Sequence, residues 1–238
     1  MIEIPHLPDS ICMLKHLKSL KLEYIWDVEQ LPENICRLEC LEELSLTCCG
    51  SLRDIPSSIC KMKCLKLLRL TYCDQVEKFP EELGCLECLE ELVIKGCRYL
   101  QDIPSSICKM SCLKRLHLSY CDQVERLSEE LGCLEYLEEL HLTDCIFLRD
   151  IPNSICSMKY LKSLQLSLCI RVEKLPEELG RLECLKELNI EGVGISRLPQ
   201  SIYQLNGLRI IGSRGQLMSY GSREISSYGL REIASLVT

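Results

Sequence analysis

The sequence has few aromatic residues and no long apolar run. Aromatic side chains make up 5% of its 238 residues, whereas hydrophobic residues of all kinds make up 47%. A core with so few aromatic rings must be aliphatic, which suits thin stacked layers better than one thick globular centre. No apolar run approaches the roughly 18 residues of a membrane-spanning helix, and the first residues lack the basic and apolar regions of a signal peptide. We therefore expect a soluble chain with no membrane partner.

An excess of positive charge and a phosphate-binding loop are also lacking. The chain has 28 Lys and Arg against 35 Asp and Glu, which gives a net charge of −7. Nucleic-acid-binding domains usually carry a basic stripe, so this balance argues against a nucleic-acid partner. No GxxxxGK[ST] loop occurs, so we expect neither a nucleotide nor any other cofactor.

What the sequence does contain is a repeat of 24 residues. Residues 55–78 read IPSSICKMKCLKLLRLTYCDQVEK, and nearly the same letters return at 103–126 and 151–174. Similar units occupy 79–102 and 127–150, and units of two alternating kinds repeat in pairs. A period of 20–29 residues around LxxLxL is the signature of leucine-rich repeats. The sequence therefore predicts a leucine-rich repeat solenoid over residues 1–208, with about eight or nine units, and a C-terminal cap or tail over 209–238.

Positions 1–24 of each unit are counted from its first apolar residue, such as Leu7 or Ile55. On this numbering the same local structure is predicted for every unit. Apolar and polar residues alternate near positions 13–17, which indicates a short half-buried strand. Apolar spacings of three after position 4 favour a helical or 3₁₀ turn, which a proline at position 2 opens in every unit but the sixth. We expect an α/β repeat fold, right-handed and curved, with short parallel strands on the concave face and helical or 3₁₀ turns on the convex side.

Sixteen of the nineteen cysteines occupy only three repeat positions. Position 6 holds Cys12, Cys36, Cys60, Cys108 and Cys156; position 10 holds Cys40, Cys64, Cys88, Cys112 and Cys184; position 19 holds Cys49, Cys73, Cys97, Cys121, Cys145 and Cys169. This recurrence indicates that the thiols fill small apolar spaces, so we expect them to be mostly buried and reduced. Together with the missing signal peptide, it favours a reducing, cytoplasmic location.

Few residues are arranged for metal binding or catalysis. Cys85 and Cys88 have the spacing of half a zinc site, but no second half follows. His117 and His141 share position 15 of consecutive units, where they could bind a metal or sense pH, although plain exposed surface is the simpler interpretation. Strand alternation directs position 15 outward and position 19 inward, away from any cysteine nucleophile. We expect no metal site and no enzymatic activity.

The residues that differ between units lie at positions 13, 15, 17 and 18 and should face away from the core. They offer tyrosine, arginine and histidine side chains in adjacent units: Tyr24, Arg69, Tyr72, Arg115, His117, Tyr120 and His141. Tyrosine and arginine often dominate protein interfaces, so these residues predict a protein-binding surface on the concave face. The tyrosines at position 18 of alternate units also have a plainer explanation, the copying of one loop residue by duplication.

Units of the form LxxLxLxxCxxLxxLPxxIxxL resemble the leucine-rich region of plant intracellular nucleotide-binding disease resistance proteins. The resemblance covers residues 7–208 and is carried by LKLLRLTYCDQVEKFPEELGCL at 65–86, LKSLQLSLCIRVEKLPEELGRL at 161–182 and ELNIEGVGISRLPQSI at 187–202. It implies a role in plant innate immunity, in which the concave face senses a pathogen effector or holds a signalling domain. The missing phosphate-binding loop means that the family's nucleotide switch is not encoded here. The alternative is a substrate-binding adaptor of a ubiquitin ligase, because F-box proteins also carry cysteine-rich repeats.

Overall fold

The computed structural model describes residues 7–213 and contains one sheet of parallel strands that pair in chain order. The nine strands are β1 Ser19–Glu23, β2 Glu43–Thr47, β3 Leu67–Thr71, β4 Glu91–Lys95, β5 Arg115–Ser119, β6 Glu139–Thr143, β7 Ser163–Gln165, β8 Glu187–Asn189 and β9 Arg209–Ile211. Equivalent positions of neighbouring units pair, as Leu20 does with Leu44 and Leu44 with Leu68. Strands β1 to β6 occupy positions 13–17 of their units, as the alternation predicts.

A 3₁₀ helix lies opposite each strand in the described part of the chain. These helices are Asp9–Met13, Ile35–Arg37, Ser57–Lys61, Leu83–Cys85, Ser105–Lys109, Glu129–Cys133, Asn153–Ser157, Leu179–Arg181 and Gln200–Gln204. In the sixth unit Ser128 replaces the proline at position 2, and its hydroxyl accepts a hydrogen bond from the Glu130 N–H at 3.1 Å. Serine thus caps the turn that proline begins in the other units. The predicted combination of short parallel strands and 3₁₀ turns is confirmed.

The core is one continuous stack of aliphatic side chains. Positions 14 and 16 of each strand point inward, as Leu68 and Leu70 do, and both are fully buried. The buried cluster runs from Leu20 to Ile210. The other side of the sheet, called the sheet face below, carries the polar residues of positions 13, 15 and 17; the sequence analysis placed it on the concave side.

The two-unit alternation has a packing reason that the sequence pattern did not reveal. Position 6 holds glycine in three even-numbered units, and a Cβ on Gly132 would overlap the backbone carbonyl of Ser154 in the next unit. The Gly132 N–H donates a hydrogen bond to the Ser154 hydroxyl at 3.2 Å. Gly84 and Gly180 make the equivalent contacts with Ser106 and Ser201. Glycine at position 6 of one unit therefore leaves room for the backbone of the serine at position 4 of the next unit and donates a hydrogen bond to its hydroxyl.

The cysteines do not all fill the core, so the prediction that they are mostly buried is wrong for one of the three rows. All six at position 19 are buried, and those at position 6 are buried or half-buried. At position 10, however, Cys40 is half-buried and the other four are exposed. Position 10 lies in the bend between the 3₁₀ helix and the strand, where the side chain points to solvent. All nineteen cysteines are free thiols.

The C-terminal part of the prediction is only partly covered by the structure. Strand β9 lies beyond residue 208, at which the sequence analysis ended the solenoid. The rest of the predicted cap or tail, residues 214–238, lies outside the described residues. Within residues 7–213, no helix is both long enough and apolar enough to cross a membrane.

Candidate functional site

The sheet face carries opposite charges that pair between neighbouring strands. Arg115 on β5 donates two hydrogen bonds to the Glu91 carboxylate on β4, at 3.0 and 2.8 Å. Arg69 on β3 approaches the same carboxylate from the other side, at 3.6 Å. Both arginines of the predicted binding surface are therefore held by one glutamate in the middle of the sheet. They offer a partner fixed guanidinium groups whose charge is partly neutralised.

The tyrosines of position 18 follow the strands and have an unusual backbone conformation. Tyr24, Tyr72 and Tyr120 are 63%, 47% and 43% exposed, and their φ angles are +57°, +53° and +55°. This left-handed region is unfavourable for residues with a Cβ and especially for bulky ones. Other units place better-suited residues at the same position, such as Gly96 and Asp144. The coil demands this φ in each unit, and the tyrosines adopt it at a conformational cost.

Two of these tyrosines form a cluster with a lysine. The Tyr72 ring lies over Gly96, where a Cβ would overlap the ring atoms. Between the two tyrosines, the Lys95 ammonium lies 5.9 Å from the ring centroids of both Tyr72 and Tyr120. This distance is within the range of a cation–π interaction. We call Tyr72, Lys95 and Tyr120 the tyrosine–lysine cluster; it lies where β3, β4 and β5 end.

Further exposed apolar side chains lie in the same loops; of these, Leu168 completes the row of tyrosines at position 18, and the others were not predicted from the sequence. Trp26 is 57% exposed, and its ring centroid lies 6.5 Å from that of Tyr24. Tyr99, Leu168 and Ile170 are also exposed in the loops that follow their strands. Position 20 holds Trp26 and Ile170 but also Gly50 and Asp74, and Tyr99 lies at position 21, so recurrence did not identify these three residues. Their common signal is a large apolar residue within five positions after a strand.

His117 and His141 are brought together on the sheet face, as their shared repeat position predicts. They are register partners on β5 and β6, and their rings stack with centroids 4.2 Å apart and planes 7° from parallel. Glu139 adds a carboxylate that the sequence analysis missed: its Oε2 lies 3.4 Å from His117 Nε2 and 3.8 Å from His141 Nε2. Burial, and to a lesser degree the neighbouring His117, lowers the pKa of His141, which favours its neutral imidazole.

Comparisons with known proteins agree with this geometry. The sequence model of the Leucine Rich Repeat family matches residues 136–158. The leucine-rich repeat domain of the type III effector XopL superposes with a TM-score of 0.80 and 27% identity, over 91% of this chain and 75% of that one. The chain has the leucine-rich repeat fold. No curated protein matches it.

Two less similar leucine-rich repeat structures share the fold alone. Internalin C2 from Listeria monocytogenes is 15% identical with a TM-score of 0.60, over 82% of this chain and 80% of that one. The Arabidopsis receptor kinase HAESA, in complex with the peptide hormone IDA and the co-receptor SERK1, is 22% identical with a TM-score of 0.56. That match covers 86% of this chain and 38% of the receptor.

The seven predicted site residues thus divide into two neighbouring groups on the leucine-rich repeat solenoid. The arginines and histidines lie on the strands themselves, and the tyrosines lie in the loops directly after them. The tyrosines are exposed, whereas the arginines and histidines are half-buried. Such a broad surface, with fixed charges beside exposed rings, suits contact with a macromolecule.

Proposed function

We propose that this leucine-rich repeat protein is a protein-binding module whose partner docks on the sheet face and on the tyrosine edge beside it. The left-handed tyrosines are the observation that carries the proposal. A bulky residue at positive φ costs about 1–2 kcal/mol relative to its ordinary conformation. Three units bear this cost while exposing an aromatic ring, although glycine fits the same position elsewhere. Strained residues that persist at a surface are typical of functional sites.

The chemistry of the surface indicates the kind of partner. Tyr72 and Tyr120 supply apolar area, and Lys95 between them supplies a cation for a carboxylate. A segment with an apolar side chain next to an acidic one would satisfy all three residues. HAESA, which shares the fold, forms a complex with a peptide hormone and a co-receptor, and this supports a peptide or protein partner here.

The biological role that we propose is recognition in plant innate immunity, by sensing a pathogen effector or holding a signalling domain in the cytoplasm. The repeat pattern of residues 65–86 and 161–182, which resembles that of plant intracellular resistance proteins, supports this role. The nineteen free thiols fit a reducing compartment. The function proposed is binding, with no catalytic step.

The test of the binding surface is photo-crosslinking followed by affinity measurement. A photoreactive amino acid at Tyr72 identifies the partner in plant cells, and the purified partner is then titrated against variants. Tyr72→Ala with Tyr120→Ala should weaken binding by at least about 2 kcal/mol, because truncating a central aromatic anchor commonly has this effect. Glu81→Ala with Glu129→Ala, two exposed positions on the turn side, is the matched control. Loss of binding in the control pair alone would place the interface on the opposite side of the solenoid.

The identity of the crosslinked partner separates the two biological roles. A pathogen protein or the nucleotide-binding domain of a resistance protein supports the immune role. A subunit of a ubiquitin ligase, together with a protein that is ubiquitinated, would support the adaptor role instead. The surface test is independent of this outcome, since it measures which residues touch the partner.

A further inference from the structure

The cluster of His117, Glu139 and His141 on the sheet face has the donor set of a metal site. Two imidazoles and one carboxylate are the protein ligands that zinc has in sites with an open fourth position. The three ligand atoms all lie within 4.8 Å of one another. Each residue is half-buried on two adjacent strands, β5 and β6, whose register is fixed by the ladder. A rigid sheet therefore positions the ligands.

A second observation, the lack of a hydrogen-bond partner for one of these imidazole nitrogens, also points to a ligand at this place. The Nε2 atom of His117 is buried and has no hydrogen-bond partner, although the Glu139 carboxylate lies 3.4 Å away. Buried polar atoms are nearly always paired, so an unpaired one calls for an explanation. A cation between the imidazole and the carboxylate would satisfy both groups at once.

We propose that His117, Glu139 and His141 bind a divalent transition-metal ion of the class that prefers imidazole and carboxylate ligands, with Zn²⁺ as the best fit. In a tetrahedral site with bonds of about 2.0–2.2 Å, ligand atoms lie roughly 3.3–3.5 Å apart. The His117–Glu139 pair has this separation already, and the His141–Glu139 pair, at 3.8 Å, is slightly wider.

Binding requires one small rearrangement. The two ring planes are only 7° from parallel, so the rings must tilt about their side-chain torsions for both Nε2 atoms to converge on one ion. The Ser163 hydroxyl, 3.4 Å from His141 Nε2, must also move. Arg115, the register partner of Glu139 on β5, donates two hydrogen bonds to Glu91 instead and leaves Glu139 available.

The test must separate this site from the surface thiols, which also bind zinc. The full chain is prepared with its six exposed cysteines replaced by serine and is titrated calorimetrically with Zn²⁺, then with Co²⁺ for its absorption spectrum. The replaced residues are Cys64, Cys85, Cys88, Cys112, Cys133 and Cys184. We expect one ion per chain, bound in the micromolar range, and a cobalt spectrum without thiolate charge transfer. A spectrum with thiolate charge transfer at the first equivalent would overturn the proposal.

Matched variants in the same background assign the ligands. His117→Gln, His141→Gln and Glu139→Gln should each weaken binding at least about tenfold, since even supporting residues outside the ligand set change metal affinity by 10–100-fold. His16→Gln, an exposed histidine at position 10, and Glu43→Gln, a position 13 glutamate on β2, should leave the affinity unchanged. Circular dichroism confirms that each variant is folded. Unchanged affinity in the double variant of His117 and His141 would refute the site.

Discussion

Two rows of cysteines recur with the same period and lie in opposite environments. The row at position 19 is fully enclosed, with Cys73, Cys97 and Cys121 each 0% exposed. The row at position 10 points to solvent, with Cys64 and Cys112 among its exposed members. Recurrence alone therefore shows only that the same geometry returns in every unit. The direction in which the coil turns at a position decides whether its side chain is buried.

The buried row has a local structural reason. Position 19 follows the left-handed residue of position 18, which turns the chain back toward the core. The thiol there donates to the carbonyl of a strand in the preceding unit, as Cys73 does to Leu46 at 3.6 Å and Cys145 to Leu118 at 3.6 Å. Burial raises the pKa of Cys97 to about 12, so its thiol stays protonated at neutral pH. Position 10 has no such constraint, because it lies in a solvated bend.

Thiol labelling should show the largest contrast between the rows. In the native chain, Cys64, Cys88, Cys112 and Cys184 should react with an alkylating reagent at nearly the rate of an unfolded peptide. The six cysteines of position 19 should react at least about a thousandfold more slowly, because they become accessible only when the solenoid opens. Isotope-coded alkylation read by mass spectrometry reports each residue separately. Similar alkylation rates at positions 10 and 19 would contradict the finding that one row is exposed and the other is buried.

Introducing the same charge into the two rows should have a large and unequal effect on stability. Cys121→Asp places a carboxylate in the core without a cation and should lower the free energy of unfolding by roughly 3–5 kcal/mol. Cys112→Asp, in the same unit but exposed, should change it by less than about 0.5 kcal/mol. Because burial raises the pKa of the new Asp, the loss should shrink as the pH falls and the carboxyl group becomes protonated. Urea unfolding at two pH values measures both effects.

Most of the fold could be predicted because it follows from periodicity. The alternation at Leu68 and Leu70 determined the strand and its buried face, and the fixed 24-residue spacing determined the register. The pairing of Lys66 with Glu42 at 2.7 Å and of Lys114 with Glu90 at 2.9 Å also follows from charges that alternate between units. Each of these features depends on one residue and its repeat equivalents.

The features that the sequence did not predict depend on residues at different repeat positions. Glu139 joins the two histidines because positions 13 and 15 share a face of the sheet. The contact of Gly132 with Ser154 links position 6 of one unit to position 4 of the next. Recurrence within one position carries no signal for such contacts. They require the three-dimensional path of the coil.

Position 6 allows the same comparison within one row, because cysteine and glycine alternate there from the third unit to the eighth. Gly132→Cys places in an even unit the residue that odd units carry, and its side chain would overlap the Ser154 carbonyl. We expect a loss of roughly 1–3 kcal/mol in the free energy of unfolding, as for other overpacked sites. Cys60→Ala, a truncation at the same position of an odd unit, controls for the general sensitivity of position 6. If Gly132→Cys lowers the free energy of unfolding no more than Cys60→Ala does, the serine of the next unit does not determine the residue at this position.

The smallest expected effect compares two exposed tyrosines. Tyr120 lies at position 18 with φ +55°, whereas Tyr136 lies at position 10 without a positive φ and stacks on Tyr160 with centroids 5.7 Å apart. Tyr120→Gly removes the conformational cost, so the free energy of unfolding should stay the same or rise by up to ~1 kcal/mol. Tyr136→Gly brings only the entropy cost of glycine and the loss of a ring contact, and should lower stability by about 0.5–1 kcal/mol. Thermal and urea unfolding of both variants decide the sign. A loss in both would show that Tyr120 stabilises its own loop, and the strain would then no longer support a binding role for the tyrosine row.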